Sequence, residues 1–140
     1  MIKGRILAVD LGLKRTGLAV SDALWISTRA LPNLSPKSRL EDAHYLLQLC
    51  EDLEISYLLI GYPRLPQSGE EGMMAKRARG FFEMLKTLIP PKIQAFLIDE
   101  AYTSHEAKQR LKQQKLATQN RIDGESARIL IENFIHAQTP

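Results

Sequence analysis

Three carboxylates stand out for their positions: Asp10, Glu100 and Asp123. Asp10 ends the apolar run Ile6-Leu7-Ala8-Val9, which reads as a strand buried on both faces. An ionised carboxylate carried to the end of such a strand needs a cation, a metal or amide donors to offset its desolvation. Glu100 follows a second apolar run and shares strand parity with Phe96 and Ile98, as Asp10 does with Ile6 and Ala8. Asp123 heads the last amphipathic segment, on the stripe of Ala127, Leu130 or Ile131, and Phe134 that would face a sheet. Three clustered carboxylates repel one another unless divalent cations lie between them. Oxygen-only ligands with water positions to spare suit Mg²⁺ or Mn²⁺ and not zinc. Two such ions about 4 Å apart can activate a water and stabilise the leaving oxygen of an in-line phosphoryl displacement. Singly, each carboxylate has a plainer role: Asp10 accepting amides in a turn, Asp99-Glu100 as surface acids, Asp123 as a helix N-cap. The metal chemistry requires all three to converge.

The elements that would position them can be read from periodicity. Strands are expected over 3–11, 15–21, 25–34, 56–60 and 92–98. Helices are expected over 36–53, with Ser35 as N-cap and Pro36 in the first position, over 73–88, from Thr103 onward, and over 123–136. Thr103 and Glu106 have capping-box spacing. Residues 64–72 and 112–121 read as loops, the latter mobile. The order is βββαβαβαα: a five-stranded mixed α/β sheet flanked by helices, one domain over 1–140. Helical crossovers make the first, fourth and fifth strands parallel. Asp10 and Glu100 then lie at the carboxyl ends of parallel strands, the edge where open α/β sheets bind ligands.

Composition excludes some classes. Of 140 residues, 44% are hydrophobic and 25% charged, as in an ordinary globular domain. No apolar run approaches the roughly 20 residues needed to span a bilayer, and the start, MIKGRILAVDLG, is broken by Asp and Gly and reads as a strand rather than a signal peptide. The lone Cys50 cannot form an intrachain disulfide, which points to a reducing cytoplasm. It lies on the apolar stripe of its helix, so burial is expected. Net charge is +3, but residues 76–121 carry ten Lys/Arg against four Asp/Glu. A basic face there fits a phosphate-rich partner, though a solvated helix surface would look the same. The phosphate-binding candidates are Lys14 and Arg15 after the glycine turn, and Lys76, Arg77, Arg79, Lys108 and Lys112 on the basic helices. Asp22 reads as a turn residue, and His44 and His136 show no ligand spacing; His105, close to Glu100 in sequence, could shuttle protons but reads as a plain exposed helix residue.

These residues carry a resemblance. Asp10-x-Gly12-x-Lys14-Arg15-x-Gly17-x-Ala19-x-Ser21-Asp22 resembles the opening motif of the bacterial YqgF-type family, described as Holliday-junction resolvases or pre-16S rRNA nucleases with an RNase H-like fold. Gly61-Tyr62-Pro63, Asp99-Glu100 with Thr103 and Glu106-Ala107, and Arg121-Ile122-Asp123 resemble its later motifs in the same order. The resemblance spans nearly the whole chain. It implies an acidic triad at Asp10, Glu100 and Asp123 and adds a substrate class: structured RNA, in particular precursor 16S rRNA, or branched DNA. Two positions depart from the family pattern, Ala101 in place of Arg and Leu65 in place of Asn. The leading expectation is a metal-dependent nuclease maturing the 5′ end of precursor 16S rRNA, with junction resolution as alternative and a homodimer as one possible state. A nucleic-acid-binding module without catalysis is favoured by Ala101 and Leu65. A nucleotide-binding domain of the actin and sugar-kinase type shares the opening strand and Asp-x-Gly turn, but 140 residues leave no room for its second domain.

Overall fold

The computed structural model describes residues 3–12, 14–63, 72–100, 103–113 and 119–138, without the side chains of 63, 99, 100, 103–106, 108, 119 and 120. Five strands form one sheet: β1 (Arg5–Asp10), β2 (Thr16–Ser21), β3 (Thr28–Leu34), β4 (Ile55–Pro63) and β5 (Gln94–Glu100). The helices are α1 (Arg39–Asp52), α2 (Met73–Leu88), α3 (Thr103–Gln113) and α4 (Gln119–Gln138). The sheet order is β3-β2-β1-β4-β5. β1, β2 and β3 pair antiparallel, and β1, β4 and β5 pair parallel, as the short and helical connections require.

Strand alternation divides the core. Leu7, Val9, Leu18, Val20, Leu58 and Ile60 pack with α1 and α2 on one face. Ile6, Ala8, Ala19 and Leu59 pack with Ala127, Leu130 and Ile131 of α4 on the other. Among the described residues, α3 packs on α4 and not on either sheet face. Its Ala107 and Leu111 pack on Ile122 and Ile129 of α4, and Arg110 clamps the two helices through Glu125 at 3.1 Å and Glu132 at 2.9 Å. Cys50 is buried among the α1 and α2 residues, and burial pushes its thiol up to about 12, so it is inert packing.

Several boundaries differ from the sequence reading. α1 begins at Arg39 with Ser38 as N-cap, not after Ser35: the Ser38 hydroxyl accepts from the Glu41 amide at 3.1 Å, and the Asp42 carboxylate takes the Lys37 amide. Glu41 stands three residues after Ser38, which gives that serine the capping-box spacing Ser35 lacks. β3 begins at Thr28 rather than position 25. Asp22, the expected turn residue, accepts from the amides of Leu24, Ile26 and Ser27 and winds 22–27 into a turn in which Trp25 has φ 61°. β4 and β5 run further than expected, because their parallel ladder continues to the pair Pro63 and Glu100. α4 begins at Gln119, so 119–121 is helix and not loop, and Lys112 belongs to α3. The packing of Ile122 against α3 holds that first turn. Asp123 therefore sits inside the helix and is not its N-cap. The capping side chains of Thr103 and Glu106, and residues 114–118, lie outside the described residues.

Candidate active site

The site is built around the end of β1. Asp10 is paired with Gly17 on β2 and with Gly61 on β4. Both glycines admit α4. A Cβ at Gly17 would collide with the backbone carbonyl of Asp123, and one at Gly61 would lie 2.5 Å from Leu130 Cδ1. With only hydrogens at these two positions, the helix settles onto the sheet on either side of Asp10. Its first turns carry the Asp123 backbone directly over the strand next to Asp10. Ala19, two residues along β2 on the same face, keeps the rest of this approach small.

The two carboxylates interact. The Asp10 carboxyl is pushed up to about 7, first by burial and then by the negative charge of Asp123. Asp123 is one-fifth exposed, and its Oδ2 receives Arg15 Nε at 2.9 Å and Asn33 Nδ2 at 3.4 Å. Asn33 lies on β3 and was not singled out from sequence. A single Asn in a weak edge strand carries no local signal, and only the pairing of β3 with β2 brings it to α4.

Position 100 lies in register beyond this pair. Asp10 is level with Gly61, which is level with Ile98, so Glu100 is two residues further along β5, on the parity of Phe96 and Ile98. Those two residues pack toward α4: Ile98 joins the Leu130 cluster, and the Phe96 ring lies tilted against Phe134, centroids 5.3 Å apart. The Glu100 side chain lies outside the described residues. Among the described residues no three acidic, histidine or cysteine side chains form a metal-binding group. The structure thus joins Asp10 and Asp123, and places the Glu100 backbone at the same sheet edge.

The basic candidates divide. Lys14 is exposed in the turn after β1. Arg15 is half-buried against Asp123. Arg77 reaches from α2 and donates to the Gly12 carbonyl at 3.3 Å, tying that helix to the turn. Lys76 is exposed and Arg79 half-buried on the same helix. Lys112 is exposed on α3, next to Leu111, which packs on Ile122 beside Asp123. The Lys108 side chain is outside the described residues.

The model of the RuvX family, described as Holliday junction resolvase, matches residues 4–137. The chain belongs to that family. A relative from Anaeromyxobacter sp. (strain K), named "Putative pre-16S rRNA nuclease", is 31% identical over 139 residues, 97% of this chain and 99% of its own. A relative of the same name from Sulfurihydrogenibium sp. is 34% identical over 132 residues, covering 94% and 89%. The fold is that of RNase H-like resolvases. Thermus thermophilus RuvC in complex with a Holliday junction substrate superposes with a TM-score of 0.57 at 12% identity, over 97% of this chain and 96% of that one. Fowlpox virus resolvase with its Holliday junction DNA gives 0.60 at 9%, over 97% and 99%. The RuvX family is a nuclease family, so its reaction class is phosphodiester hydrolysis. This membership displaces the actin and sugar-kinase alternative.

Proposed function

We propose that this chain, 1–140 acting as one domain, is a metal-dependent endonuclease that processes the 5′ end of precursor 16S rRNA. The observation that carries it is the pair Asp10 and Asp123, brought together at the carboxyl edge of the parallel strands. A half-buried carboxyl raised to about 7 beside a second carboxylate is an arrangement that a divalent cation relieves. Hard oxygen donors fit Mg²⁺ or Mn²⁺. Asp10, Asp123 and Glu100 would hold the metal, which when bound activates water and stabilises charge on the phosphate. Partial burial of Asp10 limits how far bulk water screens that charge. Lys14 and Arg15 would hold the scissile strand. Lys76, Arg77, Arg79, Lys108 and Lys112 would hold its flanks, with Arg77 also bracing the turn.

The relatives' name supports the RNA substrate. Resolution of four-way junctions is the second reading, supported by the junction-bound neighbours. A homodimer belongs to that reading, because a junction has two-fold symmetry and two cuts require two sites. A cytoplasmic site of action fits the RNA substrate and Cys50. No helix among the described residues is long and apolar enough to cross a membrane.

The test uses purified protein with Mg²⁺ or Mn²⁺ on a precursor 16S rRNA fragment and on a four-way junction. Cleavage at the 5′ end of the mature sequence by wild type, lost in Asp10→Asn, is expected. Preferential cutting of the junction selects the second reading. Equal behaviour of wild type and Asp10→Asn on both substrates leaves only a binding module.

A further inference from the structure

The Arg15–Asp123 pair joins two elements 108 residues apart in sequence. It connects the turn after β1, where the substrate strand would lie, to the α4 carboxylate that would hold metal. Its two halves differ in cover: the Asp123 side chain is 18% exposed and that of Arg15 36%. The guanidinium sits at the mouth of the site and can leave it without disturbing the core. An ion pair this exposed is weak. A phosphate offers a guanidinium two parallel charge-assisted hydrogen bonds, and the exposed Lys14 beside it adds a second positive charge toward the same group.

We propose that Arg15 is an exchangeable counter-charge that holds Asp123 until substrate arrives, then transfers to a substrate phosphate and leaves the Asp123 carboxylate to a divalent cation. The proposal rests on the nuclease reading of the site. Each ligand takes one member of the pair, so nucleic acid and cation bind with positive coupling, and by linkage the coupling is the same in both directions. Arg15 is thus a positioning residue for Asp123 and a contact for substrate. The site carries its full negative charge toward metal only when nucleic acid is present.

Titration calorimetry with Mn²⁺ on the metal-free protein tests this in wild type, Arg15→Gln and Arg15→Lys, together with binding of a four-way junction and a precursor rRNA fragment in chelator. Arg15→Gln is expected to bind Mn²⁺ about 2- to 5-fold more tightly than wild type, as loss of a weak ion pair allows, and both nucleic acids less tightly. Arg15→Lys, which keeps the charge, stays near wild type for Mn²⁺. A merely structural Arg15 would show the opposite, because a loosened Asp123 binds Mn²⁺ less well. Mn²⁺ uptake that is equal or weaker in Arg15→Gln overturns the exchange and leaves the metal site standing. Absence of Mn²⁺ uptake in every variant removes both.

Discussion

At the scale of single residues, Asp10 has the clearest consequences. In an unfolded chain its carboxyl ionises near the ordinary value of 3.8, and in the fold it is pushed up to about 7. Between those values the unfolded state has released a proton that the folded state keeps. Stability therefore falls as pH rises through that window and levels off above it. The loss is at most about 4 kcal/mol, from roughly 1.4 kcal/mol per pH unit. Asp10→Asn removes the effect. Its melting temperature without metal should match wild type near pH 4 and exceed it by more than about 5 °C at pH 8. A difference that does not change with pH would show that Asp10 ionises normally. In the presence of metal the same variant should lose at least about 100-fold in cleavage rate, since even groups behind the ligands cost 10- to 100-fold in metal sites. Asp10 could be found from sequence because strand parity and an apolar run are local. Asn33 and the partner of Arg15 could not, because neither has a local signature.

At the scale of elements, the seating of α4 decides the site. Gly17→Ala would force the helix off β2 exactly where Asp123 backs onto it. We expect a loss of about 1–3 kcal/mol, as for overpacking elsewhere, and Mn²⁺ affinity reduced by more than tenfold in protein that remains folded. Chemical denaturation and calorimetry measure the two. Gly80→Ala is the control. It lies in α2, where the added methyl meets the end of the Arg39 side chain, which can move aside. Alanine is favoured in helices by about 0.8–1 kcal/mol, so this variant should be as stable as wild type or more so, with unchanged metal binding. Ser38→Ala should cost about 1 kcal/mol through the lost N-cap of α1 and leave cleavage intact, because α1 packs on the face away from Asp10.

For the whole molecule, charge placement sets affinity. Lys14, Lys76 and Lys112 are exposed and stand on three different elements around one sheet edge. Removing Lys76 and Lys112 together should weaken nucleic-acid binding regardless of sequence. It should also flatten the slope of log affinity against log salt by roughly 1–2, at about 0.7–0.9 per phosphate contact. An unchanged slope would place the nucleic acid on another face.

The order of elements along the chain, the directions of the strands, the parity of their buried residues and the carboxylates at their ends were legible in the chain itself. Alternation with period two is a local property: it assigns Ile6, Ala8 and Asp10 to one face before any partner is known. The same holds for the α4 stripe from Asp123 through Ala127 to Leu130. What only the tertiary structure decided is how deep Asp123 sits in its helix and what holds it. The helix starts at Gln119 because Ile122 packs on Ala107 and Leu111, and the Asp123 carboxylate meets an arginine 108 residues away. Contacts of that separation depend on how α4 lies across the sheet. The glycines at 17 and 61 permit that seating, and a one-dimensional pattern does not express it.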